Sequence, residues 1–336
     1  NKGGSFDRAN LPSHILAYFK SSYYVSLQRR LKQISIQSIE ILDLIDDSIG
    51  TFSMSRGDYQ EKIYAEFSRN NQVLITGEPG SGKSAIARQF LKTVISSNNS
   101  FLLVFRADEF GRGNLRDYFS GLDIQLSITE IFRFFPLHTL HFIYVDALEK
   151  LSESEGIAFK QLLSAIVHFP HIKLLSTCRE AELPLLRLKY FSAYEITPIR
   201  VDVLSEEELK HTAKALPILS PVLQNKRLLP LLQFPKYLDL TYRAAQQSAI
   251  SFSEIDEQQF VKQLWDVIVE NRLNANIQGL PAKRSELFTE LAVSRAKSML
   301  PYVTLNSVDL HALSELEKDG VVVKSKRQEA YAPAHD

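Results

Sequence analysis

Eight consecutive residues, Gly77-Glu78-Pro79-Gly80-Ser81-Gly82-Lys83-Ser84, follow the pattern G-x-x-x-x-G-K-S. Glycines at this spacing let a backbone curl until successive N–H groups point inward, where they cradle phosphate oxygens. A helix opening at the end of the loop, with Ala85 in its first turn, turns its positive N-terminal end on the same oxygens. Lys83 would reach the β- and γ-phosphates, and the Ser84 hydroxyl would ligate magnesium. The expected ligands are ATP or ADP with Mg2+, although the loop alone does not separate adenine from guanine. The flanks agree with this reading. Val73-Leu74-Ile75 precedes the loop as an apolar strand, and Ser84–Ser97 follows as a helix with Ile86, Phe90, Leu91, Val94 and Ile95 on one stripe.

Such a loop needs an acid to hold the magnesium. Phe142-Ile143-Tyr144-Val145-Asp146 is an apolar strand ending in a carboxylate, which makes Asp146 the second metal-site candidate beside Ser84. A second acid would polarise the attacking water. Position 147 is Ala, so no acid follows directly, and Glu149 becomes the candidate base. A further strand ends Leu175-Ser176-Thr177-Cys178-Arg179. From there the Arg179 guanidinium can point at a γ-phosphate and report its presence. The alternative is a surface arginine paired with Glu180 or Glu182.

The elements that must position these residues alternate. Residues 1–50 read as mainly helical, with Leu27, Leu31, Ile34, Ile36, Ile39 and Leu42 at helical spacing. From residue 72 apolar strands alternate with helices. The strand candidates are Val73–Ile75, Phe101–Phe105, Phe142–Val145, Ile172–Leu175 and Tyr194–Ile196. Continuous apolar runs of this kind belong to a parallel sheet buried on both faces. After Pro198 the pattern turns helical, opening with the capping box Ser205-Glu206-Glu207-Glu208. Helices over 258–274, 281–298 and 307–319 follow, the last capped by Ser307. Two short strands at 321–323 and 330–332 complete a winged-helix pattern. The expected fold class is α/β, a P-loop NTPase parallel-sheet core followed by a helical lid domain and a winged-helix domain. The expected divisions are 1–50 as a helical segment, 51–198 as the core, 199–250 as the lid, and 251–336 as the helical and winged-helix domain.

Composition narrows the partners. Of 336 residues, 39 are Lys or Arg and 39 are Asp or Glu, so there is no global basic field for DNA or an anionic membrane. A single cysteine, Cys178, excludes an internal disulfide framework and fits a reducing, cytoplasmic setting. No apolar run is long enough to span a membrane. The start lacks a signal peptide, and both ends read as cuts from a longer protein whose missing parts would hold a sensor and an effector. The eight histidines show no metal-ligand spacing.

Over roughly residues 50–336 the motifs resemble the STAND class of ATPases, the signal-transduction branch that includes NB-ARC and NACHT modules. Asp146-Ala147-Leu148-Glu149 resembles that class's D-G-L-D, with Ala for Gly and Glu for the second Asp. Thr177-Cys178-Arg179 resembles its T-T-R sensor, and Phe234-Pro235-Lys236-Tyr237-Leu238 its lid proline motif. Ala334-His335-Asp336 stands where NB-ARC proteins carry Met-His-Asp. The resemblance implies that Pro235 packs near the adenine, that His335 contacts the ADP phosphate and locks a closed state, and that Arg56 is the arginine near the base. The proline-cut lid is also similar to bacterial STAND proteins implicated in antiviral defence.

The resemblance thus implies an ATP/ADP switch with slow hydrolysis, one that assembles into a homo-oligomer in the ATP form. Three other classes remain open: an origin-recognition-like DNA-binding ATPase, a small-molecule kinase, which the long helical C-terminal half fits poorly, and a nucleotide-binding interaction module without turnover. The acids in the 307–319 helix disfavour nucleic acid, while Lys324, Lys326 and Arg327 in the wing favour it.

Overall fold

The structure is a computed structural model. It describes residues 22–97, 100–107, 114–135, 139–151, 153–194, 196–247, 255–272, 279–298, 302–305, 308–325 and 329–334. At its centre is a five-stranded parallel sheet. The strands are β3 (Gln72–Gly77), β4 (Leu102–Arg106), β5 (His141–Asp146), β6 (Ile172–Arg179) and β7 (Ile199–Val201), in the order β4-β5-β6-β3-β7. An earlier pair, β1 (Ser48–Ile49) and β2 (Phe52–Ser53), forms a separate antiparallel turn.

Side chains alternate across the sheet. Leu74, Leu103, Phe105, Ile143, Val145 and Leu174 face one apolar cluster, with Phe159, Leu162 and Ile166 of the helix Glu153–Val167. Val73, Ile75, Leu102, Val104, Phe142 and Leu175 face the other. There they meet Ile63 and Phe67 of the helix Gly57–Arg69 and Ile86 and Phe90 of the helix Lys83–Ser97. Helices on both faces are what lets nearly every strand residue be apolar.

The first helix, Ser22–Asp43, lies against β4, the edge strand. Ser35 Oγ accepts the Leu102 N–H and Ser38 Oγ accepts the Val104 N–H, each at 3.1 Å. This contact also explains a departure from the helical stripe expected above. The serines face the sheet, so Ile36 turns outward and is 48% exposed. Residues 1–21 lie outside the described residues.

The fifth strand differs from expectation. Tyr194 and Ile196 are not in a strand; they pack half-buried against the core beside Phe191. Pairing starts after Pro198, where Ile199–Val201 aligns with Ile75–Gly77. Glu195 lies outside the described residues.

Beyond the sheet stands a helical lid. Ser205 caps the helix Glu206–Ala215 with the expected capping box, and the helix Pro235–Gln247 follows shorter turns at 217–232. Its core is Leu204, Leu209, Leu219, Leu228, Leu232 and Leu238, joined by Ile49 from β1. Arg243 pairs with Asp239 and Asp46, and Asp239 accepts the Gly50 N–H, so the lid helix is fastened to the β1–β2 turn.

The helix expected at 258–274 runs as an α-helix over Glu257–Leu264 and then widens to a π-turn at Trp265–Val269. Arg284, from the helix Leu280–Ser298, fills that widening. Its guanidinium donates to Val269 O and Ile268 O, which relieves freed carbonyls, and pairs with Asp319. The helix Leu310–Lys318 packs on Leu280–Ser298, with the hairpin β8 (Val322–Lys324) and β9 (Tyr331–Pro333) beyond it. Its N-cap is Asp309, which accepts from His311 N and Ala312 N. Ser307, expected in that role, lies outside the described residues. No helix among the described residues is long and apolar enough to cross a membrane.

Candidate functional site

The site lies at the carboxyl ends of the central strands. β3 ends at Gly77, and Gly80 and Gly82 in the loop adopt φ of +77° and +94°, a region that other residues enter only with strain. The helix Lys83–Ser97 starts directly beyond, so its free N–H groups face the loop interior. Lys83 Nζ donates to the carbonyls of Gly77 and Glu78, at 3.1 and 2.8 Å. Its ammonium therefore sits inside the curl. Burial lowers the Lys83 pKa, while the carboxylates of Glu149 and Asp146 hold it up.

Asp146 is the focus of the polar network. Its Oδ1 accepts hydrogen bonds from three hydroxyls: Ser84 Oγ at 2.8 Å, Tyr144 OH at 2.7 Å and Thr177 Oγ1 at 2.6 Å. Thr177 Oγ1 also accepts the Ala147 N–H at 2.9 Å. Burial, reinforced by the negative charge of Asp146, pushes the Tyr144 phenol well above its usual range, so it serves as a hydroxyl donor. Ser84 and Asp146, the two expected magnesium residues, thus meet directly. A hydroxyl and a carboxylate are hard oxygen ligands of the kind Mg2+ takes, so this donor set suits the ion.

Strand order brings Arg179 in. β6 lies between β3 and β5, and Arg179 at its end is in register with Gly77. Arg179 Nε lies 3.3 Å from Glu149 Oε1, and the Arg179 N–H donates to Glu149 Oε2 at 3.2 Å. Glu149 is thus a partner not considered for Arg179 from the sequence, while Glu180 meets Arg200. Burial raises the Glu149 pKa against the lowering effect of Arg179 and Lys83. Cys178, between Thr177 and Arg179, is buried and burial pushes its thiol up to about 12, so it is inert as a nucleophile.

Arg56 and Pro235 reach the loop from outside the core. Arg56 is buried, with Nη1 donating to Asp202 O at 3.0 Å and to Ser81 O at 3.5 Å, and Nε paired with Glu208 of the lid at 3.0 Å. Pro235 Cγ lies 3.7 Å from the position a Cβ on Gly82 would occupy, so the lid proline rests on the phosphate loop itself. At the far edge, Arg106 aligns in register with Asp146, and its guanidinium is 5.8 Å from the Tyr302 ring centroid. His335 lies outside the described residues.

Sequence reasoning missed Tyr144 and the double role of Thr177. Tyr144 was open to detection, since a hydroxyl two residues before a strand-terminal acid shares its face.

A phosphate-type loop on a five-stranded parallel sheet, with an acid at the end of β5 and helices on both faces, defines the fold. The core is a P-loop NTPase fold. No protein-family model matches the chain, and no curated protein does. Among solved structures, this P-loop chain is similar to the Walker-type ATPase PABY2304 of Pyrococcus abyssi, at 14% identity over 88% of this chain and 97% of that one, with a TM-score of 0.47. It is also similar to Cdc6p from Pyrobaculum aerophilum, at 15% identity over 87% and 94%, TM-score 0.46. A third is the Aeropyrum pernix Orc1 protein in complex with DNA, at 12% identity over 89% and 94%, TM-score 0.45. These likenesses concern the fold alone.

Proposed function

We propose that this chain binds a nucleoside di- or triphosphate with magnesium, ATP or ADP, and works as a slowly hydrolysing switch. The observation that carries the reading is the contact between Ser84 Oγ and Asp146 Oδ1 at 2.8 Å, directly behind the Gly77–Lys83 curl. When bound, magnesium would be held by these two residues and would offset the charge of the phosphates.

The residues then have distinct tasks. Lys83 leaves the carbonyls of Gly77 and Glu78 for phosphate oxygens. Arg179 is drawn from Glu149 toward the terminal phosphate, which frees the carboxylate. Glu149, a better base for its raised pKa, takes a proton from the attacking water. The new bond forms between water oxygen and γ-phosphorus, and the bond to the bridging oxygen breaks, leaving ADP and inorganic phosphate. Because the base starts out paired, turnover is slow.

The lid supplies the conformational side of the switch. Pro235 on Gly82, Arg56 between Ser81 and Glu208, and Tyr302 over Arg106 support reading this arrangement as the closed, ADP-type form. A ligand shifts such an equilibrium only by its differential affinity for the two forms. The resemblance to STAND ATPases supports opening with ATP, assembly of open protomers and control of a larger protein, with His335 at the closed-state phosphate.

The test is to denature the purified protein and identify any released nucleotide by chromatography. Stoichiometric ADP supports the closed switch. Failure of the wild type to bind MgATP or MgADP, or full binding by Lys83→Ala, overturns it.

The C-terminal helix and hairpin support a second reading, a DNA-engaging ATPase. Lys324 in the wing is paired with Glu329, and Lys326 and Arg327 lie outside the described residues. Asp319, one of the acids that count against DNA, is neutralised by Arg284. Salt-dependent binding to duplex DNA would establish this reading, and its absence would remove it.

A further inference from the structure

Phe142 and Tyr144 stand two residues apart on β5, so they share a face of the strand. Both belong to the apolar cluster that includes Ile86 and Phe90 of the helix Lys83–Ser97, and both are buried. A phenyl ring is enough to fill such a cluster, as Phe142 shows. The hydroxyl of Tyr144 is a polar group among hydrocarbon, which is costly unless an acceptor takes its proton. Asp146 Oδ1 is that acceptor, at 2.7 Å. The ring serves the core, while the hydroxyl serves the carboxylate.

The hydroxyl has a consequence for Asp146. Tyr144, Ser84 and Thr177 all donate to Oδ1, and among the described residues no hydrogen bond reaches Oδ2. A carboxylate oxygen offers about two lone-pair sites, so Oδ1 is fully taken and Oδ2 is the open acceptor. The three donors are held in different ways. Ser84 lies in the first turn of the phosphate-loop helix and would share its oxygen with magnesium. Thr177 comes from the neighbouring strand β6 and also holds the Ala147 N–H. Tyr144 is packed on β5 itself, the strand that carries Asp146. Its hydroxyl is thus fixed relative to the carboxylate whatever the loop binds.

We propose that Tyr144 is a positioning residue of the metal site, one that pins Asp146 through Oδ1 and leaves Oδ2 as the oxygen available to magnesium or to its water shell. This deepens, and rests on, the reading that the Gly77–Ser84 loop holds a nucleotide with magnesium. Tyr144 acts through Asp146. It should therefore matter for the part of nucleotide affinity that magnesium supplies and not for the part that the loop supplies alone.

The experiment measures ADP affinity of the whole chain by calorimetry, in magnesium and in EDTA, for wild type, Tyr144→Phe and Phe142→Leu. The ratio of the two affinities is the magnesium enhancement. Tyr144→Phe keeps the ring and removes the hydroxyl. Its affinity in EDTA should stay within about twofold of wild type, while its magnesium enhancement falls about five- to tenfold, the scale of one hydrogen bond to a charged group. Phe142→Leu loosens the same cluster without touching the hydroxyl, so it should melt lower than wild type and keep the wild-type enhancement. A wild-type enhancement in Tyr144→Phe overturns the proposal. So does an equal loss of affinity in EDTA and in magnesium, or a matching loss of enhancement in Phe142→Leu, since either would indicate packing. If wild type binds ADP equally well with and without magnesium, this proposal falls and the loop remains a nucleotide site. If wild type does not bind ADP under either condition, both readings fall.

Discussion

Arg179 and Glu149 are joined twice, by an ion pair from Nε to Oε1 at 3.3 Å and by a hydrogen bond from the Arg179 amide to Oε2 at 3.2 Å. The residue suited to detect a terminal phosphate and the residue suited to activate water therefore constrain each other. Of the two bonds, only the side-chain one breaks when the guanidinium moves, so Glu149 stays in place while it is released. In Arg179→Met the positive neighbour is lost, and the Glu149 carboxyl, already raised by burial, rises further. The acidic limb of the ATP-turnover pH profile should then move to higher pH. An unmoved limb would remove Glu149 from the role of base.

Ala147 adopts φ 58° and ψ 60°, a left-handed conformation, directly after Asp146. A residue with a Cβ is strained there by about 1–2 kcal/mol, while replacing Ala by Gly costs roughly 0.4–1 kcal/mol through the unfolded chain. Ala147→Gly should thus stabilise the protein by about 0.5–1 kcal/mol in urea unfolding. Ala147→Val should destabilise it, because a β-branched side chain tolerates this region least.

Thr177 gives its hydroxyl hydrogen to Asp146 and accepts the Ala147 N–H while 1% exposed. In Thr177→Val, which keeps the shape, the Ala147 N–H loses its acceptor and Asp146 loses a donor. The expected cost is about 1–3 kcal/mol of stability. Nucleotide affinity should also become less responsive to magnesium, since the carboxylate is no longer held. Titration of MgADP affinity against magnesium concentration checks this.

Lys236 makes ligand-free stability depend on alkaline pH. Its pKa falls from the ordinary lysine value of 10.5 to about 8 in the fold, so between these values the unfolded chain binds more protons. Stability therefore rises as pH increases through that window. The shift sets an upper limit of about 3 kcal/mol, and partial exposure of the side chain reduces it to roughly 1–2 kcal/mol. Lys83 and Lys173 are shifted in the same direction, so the Lys236 part is the difference between wild type and Lys236→Met. Urea midpoints of the two proteins at pH 7.5 and pH 10 (about the ends of the window) should converge at the higher pH.

The phosphate loop and Asp146 are legible in the sequence because their chemistry is local: glycine spacing, a lysine, and an acid ending an apolar run. Four of the strands are legible for the same reason, as buried runs bounded by polar residues. What escapes is decided by distant neighbours. Tyr194–Ile196 has strand-like residues, yet the place beside β3 is taken by Ile199–Val201, which follows Pro198. Arg179 has Glu180 and Glu182 adjacent in sequence, yet strand order delivers it to Glu149. Lys236 reads as an ordinary surface lysine until the lid helix is laid on Gly80. Asp309 caps its helix where Ser307 offers an equally good cap in the sequence.

The serine contacts on β4 bear on how copies of this chain can meet. An exposed edge of a parallel sheet is a template that a second strand can extend. Here Ser35 and Ser38 already occupy the outward N–H groups of Leu102 and Val104. A sheet running continuously from one protomer to the next through β4 would therefore first require the helix Ser22–Asp43 to detach.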